Sequence, residues 1–221
     1  MIEGELVVDQ NIGYNKANLI KQIKESWGIE VWDIKEEYIE TFDKYWSRIV
    51  IFRFPDKLNF EEMFQFNSLD IDKKKFFKIL QKLDPNLFMT VNQIVIINNK
   101  EEYVDLMKEL EGSSFVVDYP ETSKMGEHLF NESYIIIYME AIKKVVKEEC
   151  EIWPYSSERA ELNRAFWQTL LHELRHSMQE NPLFENEFET MNREEKEREA
   201  EDYCRRVFQD IIIQNDYYVI E

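Results

Sequence analysis

Hydrophobic residues in the first half of the chain alternate between helical and strand spacing. Apolar positions that recur every three or four residues predict helices at residues 15–27, 36–46, 60–66 and 71–83. Two shorter segments, rich in apolar and aromatic residues, predict strands at residues 30–34 and 48–54. The turn formed by Asp84, Pro85 and Asn86 follows, and it is the best candidate for a domain boundary.

The second half has the pattern of a small sheet followed by two long helices. Strand patterns occupy residues 91–97, 114–119 and 134–138, and helical spacing occupies residues 101–111, 157–180 and 192–214. This order of elements predicts an α+β fold. We expect residues 1–85 to form an N-terminal α+β region of unknown role, and residues 86–221 to form the main domain.

Composition and charge limit the possible partners. The chain has 221 residues, of which 44% are hydrophobic, enough for a sizeable core in one domain with an appendage. Lys and Arg number 27 against 45 Asp and Glu, so the net charge is −18. Such a surface repels phosphate backbones and anionic lipids, which argues against nucleic-acid and membrane partners.

The N-terminal residues and the two cysteines bear on the cellular compartment of the protein. Residues 1–9 are acidic and lack the basic and apolar regions of a secretory signal, and no segment has the roughly 18–20 apolar residues of a membrane span. Cys150 and Cys204 are too few for a disulfide framework and are predicted to be reduced, buried thiols. These features predict a cytoplasmic protein.

One short motif places metal-binding chemistry on the first long helix. His172, Glu173 and His176 form the pattern H-E-x-x-H, which contains two of the three histidines of the chain. At about 100° per residue the two histidines share one helix face, with Glu173 at its edge and an apolar stripe opposite. One helix can therefore offer two imidazole nitrogens to a zinc ion. His128 stands in a polar stretch and is predicted to be structural or exposed.

A catalytic zinc site needs a third protein ligand and one open position for water. The extended motif with a Gly and a third His would need them where this chain has Gln179 and Pro182. The alternative ligand is an acid on the helix that begins near Asn192. Glu197 lies at the border of the apolar stripe of that helix and is the leading candidate, whereas Glu199 is predicted to point away.

The stretch from Glu197 to Cys204 resembles the E-x-E-A-[DN]-x-[FY]-A segment that follows the H-E-x-x-H helix in gluzincin metallopeptidases. The pattern is closest to soluble ImmA/IrrE-like proteins and minimal gluzincins, and the similarity covers residues 155–210. This chain has Arg175 where the family often has Gly, Glu201 where it has Asp or Asn, and Cys204 where it has Ala.

The resemblance implies a zincin-like fold in which a small mixed sheet supports an active-site helix and a following Glu-bearing helix. It implies that His172, His176 and Glu197 bind zinc and that Glu201 supports a ligand histidine by accepting its second ring N–H. It also implies an edge strand along which a peptide substrate lies, for which residues 134–138 are the candidate.

The sequence therefore predicts a zinc-dependent metallopeptidase acting on a peptide or protein substrate, with Zn²⁺ as its cofactor. Glu173 is the expected general base toward a zinc-activated water, and it would later pass the proton to the leaving amine. The alternative is a catalytically inactive zincin-fold protein with an acidic binding or regulatory role. The group that stabilises the oxyanion is left open among Tyr203, Arg205, Tyr217 and Tyr218.

Overall fold

The computed structural model describes residues 5–7, 51–53, 58–111, 124–129, 134–153, 157–179 and 185–220. The predicted helices at residues 15–27 and 36–46 and the predicted strands at residues 30–34 and 114–119 lie outside these ranges. The described residues form an α+β fold, in agreement with the predicted class.

Six strands occur in the described ranges: β1 (Glu5–Val7), β2 (Ile51–Arg53), β3 (Phe64–Gln65), β4 (Gln93–Ile97), β5 (Gly126–Leu129) and β6 (Tyr134–Tyr138). The α-helices of these ranges are α1 (Phe60–Met63), α2 (Lys73–Leu80), α3 (Lys100–Glu111), α4 (Met139–Ile152), α5 (Glu158–Gln179), α6 (Glu185–Phe188) and α7 (Arg193–Val207). A π-helical segment, Phe208–Ile212, and a 3₁₀ turn, Ile213–Asn215, continue α7.

Within the described ranges, the main sheet consists of four strands in the order β3-β4-β6-β5. The first three run parallel, with Ile94 opposite Ile135, and β5 closes the sheet as an antiparallel strand, with Gly126 opposite Ile137. β1 and β2 form a separate antiparallel pair. The central strands β4 and β6 are apolar on both faces, as expected where helices cover both sides of a sheet.

Successive residues of β4 and β6 face two different hydrophobic clusters, because side chains alternate along a strand. Ile94, Ile96, Ile135 and Ile137 join the larger cluster, to which α5 contributes Phe166, Trp167, Leu170, Leu171 and Leu174. The intervening residues join the smaller cluster, to which α3 contributes Tyr103, Leu106 and Met107. The sheet therefore lies between α5 on one face and α3 on the other.

Several predicted elements differ from the observed ones. The predicted helix at residues 60–66 ends at Met63, because Phe64 pairs with Ile94 of the sheet and packs on Phe76. The helix α4 was not predicted; its buried residues are Met139, Ala141, Ile142 and Val146. His128 lies half-buried in β5 rather than in a polar loop, because its segment pairs with β6.

The predicted boundary at residues 84–86 lies within a continuous core. Asp84 caps a 3₁₀ turn, Pro85–Phe88, whose Leu87 and Phe88 are buried. On either side of the turn, β3 pairs with β4, and residues before and after it belong to the same hydrophobic cluster.

Two predictions that follow from composition can be compared with the described residues. Cys150 and Cys204 are both free thiols, as predicted, with Cys204 buried and Cys150 half-buried. No helix in the described part of the chain combines the length and apolar character that a bilayer-spanning segment needs.

Candidate metal centre

The helix α5 carries the H-E-x-x-H motif on the side that is not filled by the core. Its bounds, Glu158–Gln179, agree with the predicted helix at residues 157–180. The predicted apolar stripe is buried, with Leu170, Leu171 and Leu174 fully inaccessible to solvent. The side chains of His172 and His176 are 26% and 19% exposed, so the imidazoles lie at the edge of the core and reach solvent.

The helix α7 packs against α5 and brings an acid to the two imidazoles. Its first turn is fixed by a capping box, in which Asn192 accepts from the backbone N–H of Glu195 and Glu195 accepts from that of Asn192. Its apolar stripe buries Ala200, Tyr203, Cys204 and Val207. Glu197 lies beside this stripe and is 45% exposed, in agreement with the position predicted from the helix face.

The ligand atoms of His172, His176 and Glu197 converge. Oε2 of Glu197 lies 3.3 Å from Nε2 of His172 and 3.4 Å from Nε2 of His176, and the two Nε2 atoms are 2.9 Å apart. A tetrahedral zinc ion with bonds of about 2.0–2.1 Å holds its ligand atoms about 3.3 Å apart. Among the described residues, this is the group of His, Cys, Asp and Glu side chains whose geometry could hold a metal ion.

Electrostatics favour the neutral form of the first histidine. Burial, followed by the neighbouring His176, lowers the pKa of His172, against the opposing influence of Glu197 and Glu201. A metal binds the neutral imidazole, so the surroundings of His172 disfavour the protonated ring, which cannot bind a metal.

Glu173 is 7% exposed and lies against the edge strand of the sheet. A Cβ at Gly126 would come within 2.9 Å of both Cγ and Oε1 of Glu173 and within 2.8 Å of Cγ2 of Thr169. Only a residue without a side chain lets β5 pass this close to α5. Among the described strands, β5 is the edge strand next to α5, and the expectation for residues 134–138 was wrong, since β6 lies between β4 and β5.

The group that contacts one of the two candidate ligand histidines is Gln179 rather than Glu201. Oε1 of Gln179 lies 2.8 Å from Nδ1 of His176. Glu201 is exposed. Within the described part of the chain, it makes no hydrogen bond to the imidazole of His172 or of His176. One turn beyond Glu197, the Glu201 side chain projects to solvent, whereas Gln179 lies one turn beyond His176 on the same helix as that histidine.

Glu199 contacts α5, although the spacing of apolar residues predicted that it points away from the apolar stripe of α7. Its carboxylate accepts a bidentate contact from Arg175, with Nη2 2.7 Å from Oε1 and Nε 2.9 Å from Oε2. It also accepts from Nε2 of Gln179 at 2.8 Å. Burial raises the pKa of Glu199, but the hydrogen bonds from Arg175 and Gln179 outweigh it and lower the pKa overall.

Arg175 is itself enclosed by aromatic rings. Its guanidinium carbon lies 4.5 Å from the ring centroid of Tyr203 and 5.0 Å from that of Phe188. The sequence indicates part of this cluster, because Arg175 and Gln179 are four residues apart and therefore lie on one face of α5. The partner on α7 could not be identified from that spacing alone.

The four residues considered for oxyanion stabilisation make other contacts. Tyr203 packs on Arg175 and Arg206, Arg205 pairs with Asp202, and the rings of Tyr217 and Tyr218 stack on each other.

Burial raises the pKa of Cys204 to about 12, with Glu173 and Glu199 adding to the effect, so this thiol remains protonated.

Comparisons with protein-family models, with curated proteins and with solved structures found no match for this chain. The proposal for its function therefore depends on the geometry of the metal centre.

Proposed function

We propose that the protein is a zinc-dependent metallopeptidase of the gluzincin type, with a zincin-like arrangement of the sheet and of α5 and α7. The observation that carries the proposal is the convergence of His172, His176 and Glu197 at 2.9–3.4 Å, with Glu173 between the two histidines in the chain. The sequence resemblance to gluzincins had placed the same three residues on zinc.

The donor set fits zinc in kind and in number. Two imidazole nitrogens and one carboxylate oxygen are the three protein ligands of many catalytic zinc sites, and the fourth position is kept for water or substrate. Partial exposure of all three side chains leaves room for that position. When bound, zinc supplies a Lewis acid that activates water and polarises the scissile carbonyl.

Glu173 would act as the general base and acid of the reaction. It adjoins His172 in the chain, and its carboxylate is buried against Gly126 rather than facing bulk water. A carboxylate in this position can take a proton from the attacking water and deliver it to the leaving amine without occupying the metal. His172, His176 and Glu197 hold the ion, and Glu173 moves the proton.

The edge strand offers a place for an extended substrate. β5 is hydrogen-bonded to β6 on one side, and Gly126 brings it into contact with Glu173. A peptide that adds to the outer side of an edge strand is held by its backbone. A substrate bound along β5 would therefore pass the proposed base.

The decisive experiment compares wild type with Glu173→Gln, which preserves size and removes the base. Zinc content is measured by elemental analysis of protein purified without a metal-affinity tag, and hydrolysis is measured on a peptide library. We expect about one zinc per chain in both proteins. We expect the variant to lose about 10²–10⁴-fold or more in kcat, because one residue serves both proton transfers.

Glu158→Gln is the matched control, since Glu158 is an exposed residue in the first turn of the same helix. It should leave zinc content and hydrolysis unchanged. Absence of zinc from wild type, or full occupancy after both His172 and His176 are replaced by Ala, would refute the metal site. Stoichiometric zinc without hydrolysis would favour a binding or regulatory role for this acidic chain.

A further inference from the structure

We propose that Gln179 is a positioning residue that fixes the tautomer of His176, with the proton on Nδ1 and the lone pair of Nε2 directed toward Glu197 and His172. That this tautomer assists zinc binding depends on the proposed function, in which His176 is a zinc ligand. The tautomer itself follows from hydrogen bonds of the protein alone.

The orientation of the Gln179 amide is determined by two acceptors. Gln179 is 3% exposed, and its Nε2 lies 2.9 Å from the carbonyl oxygen of Lys196 and 2.8 Å from Oε2 of Glu199. Neither partner can donate a proton, because one is a backbone carbonyl and the other a carboxylate. The NH₂ group must therefore face α7, and a flipped amide would set oxygen against oxygen at both contacts.

The same orientation leaves the amide oxygen for His176. Oε1 of Gln179 lies 2.8 Å from Nδ1 of His176, and a carbonyl oxygen can only accept. Nδ1 must then carry the hydrogen. In the neutral ring Nε2 is consequently the acceptor, which is the nitrogen that faces the other two candidate ligands.

The chain of contacts is anchored away from the metal centre. Glu199 cannot turn from Gln179 without losing its bidentate contact with Arg175. Arg175 is confined between the rings of Phe188 and Tyr203. The rotamer and tautomer of His176 are thus set by three helices, α5, α6 and α7, before any ion binds, which lowers the reorganisation that binding requires.

The two histidines are consequently inequivalent in the metal-free protein. Their Nε2 atoms are 2.9 Å apart, a hydrogen bond that needs one N–H. Because Nε2 of His176 is the acceptor, that hydrogen belongs to Nε2 of His172. His176 has the ligating tautomer in advance, whereas neutral His172 must shift its hydrogen from Nε2 to Nδ1, by exchange with solvent, before its Nε2 can bind an ion.

The test is the long-range ¹H–¹⁵N correlation spectrum of the ring nitrogens in full-length, metal-free protein at about pH 8.5, where an ordinary imidazole with a pKa near 6.5 is neutral. The chain has three histidines, so the spectrum is simple. We expect His176 to be protonated at Nδ1 and His172 at Nε2. A wild-type spectrum with His176 protonated at Nε2 overturns the proposal without any variant.

Gln179→Leu removes the acceptor and keeps the volume. We expect His176 to lose its Nδ1–H tautomer preference and the affinity for Zn²⁺, measured by competition with a chromogenic chelator, to fall by about 10–100-fold. Gln168→Leu is the control, since Gln168 contacts Arg164 on the same helix, and it should change neither quantity. An unchanged His176 tautomer in Gln179→Leu overturns the proposal.

The two proposals can fail separately. A wild-type protein that binds no zinc, or that cleaves no peptide, refutes the peptidase and leaves the ring-nitrogen spectrum to decide on Gln179. If His176 keeps its Nδ1–H tautomer in Gln179→Leu and the variant cleaves peptides normally, the role of Gln179 is refuted and the proposed peptidase activity stands.

Discussion

Gly126 lies directly against Glu173, so that any Cβ at position 126 would come within 2.9 Å of the Glu173 side chain. The contact joins the edge strand of the sheet to the proposed general base. Because the neighbouring atoms belong to a buried carboxylate and to Thr169, neither can move aside without disturbing α5.

Gly126→Ala should therefore reduce hydrolysis more than zinc binding. We expect kcat/KM to fall by up to about 100-fold, since a displacement of about 1 Å at a catalytic group can have that effect. Zinc affinity should change little, because the three proposed ligands lie on α5 and α7. Thr169→Ser removes the nearer Cγ2 atom and should partly restore Gly126→Ala, while Thr169→Ser alone remains active. Equal losses of zinc and activity would contradict this prediction.

Glu197→Ala and Glu201→Ala form a matched pair one helical turn apart. Glu197 lies 3.3–3.4 Å from both imidazoles, whereas Glu201 is exposed. We expect Glu197→Ala to weaken zinc binding by more than the roughly 10–100-fold that residues behind the ligands contribute. Glu201→Ala should stay within a few-fold of wild type. The measurement is chelator competition, and the reverse order of affinities would identify Glu201 as the ligand.

Asn163→Ala should destabilise the fold whether or not a metal is bound. Asn163 is fully buried, and its Oδ1 accepts from the backbone N–H groups of Val219 and Ile220 at 2.7 and 2.8 Å. Its Nδ2 donates to the carbonyl oxygen of Ile220 at 3.0 Å. Loss of these contacts leaves buried backbone groups unsatisfied, so we expect a loss of about 2–4 kcal/mol in the free energy of unfolding.

Urea unfolding of Asn163→Ala measures this loss. Gln214→Ala serves as the control, because Gln214 is exposed and should change stability by less than about 0.5 kcal/mol. Equal stability of wild type and Asn163→Ala would mean that the C-terminal segment does not depend on this side chain.

The lowered pKa of Glu199 predicts a contribution to acid stability. The unfolded chain takes up the proton near the ordinary pKa of 4.5, and the folded protein does so only at lower pH. Stability from this group is therefore present above pH 4.5 and is lost as pH falls through the folded pKa.

Glu199→Gln should flatten this part of the curve of unfolding free energy against pH, measured with urea between about pH 3 and 6. The exposed Glu187→Gln should leave the curve unchanged. An identical acid limb in Glu199→Gln and wild type would show that the Arg175 pair gives no pH-dependent stabilisation.

The long helices and the position of Glu197 could be predicted because the information is local. The apolar stripes of α5 and α7 each extend over several turns, and the border of the second stripe indicated Glu197. The strand β3 could not be predicted in this way. Its two residues are extended because they pair with β4, some thirty positions later in the chain.

The polar network was missed for a related reason. Arg175 and Gln179 contact Glu199 at separations of 24 and 20 residues, and hydrophobic periodicity says nothing about which polar side chains pair across a helix interface. The apolar stripe alone predicted that Glu199 points away from it. The attraction of the half-buried guanidinium of Arg175 determined its actual position.

The bidentate pair of Arg175 and Glu199 also selects the register of two helices. An apolar stripe such as that of α7 repeats at every turn, so it would tolerate a slip of about 5.4 Å along α5. A slip of four residues in one direction would bring Tyr203 opposite Arg175, and in the other direction Glu195, whose carboxylate closes the capping box of α7. One polar contact thereby distinguishes a single alignment among several that apolar packing would accept.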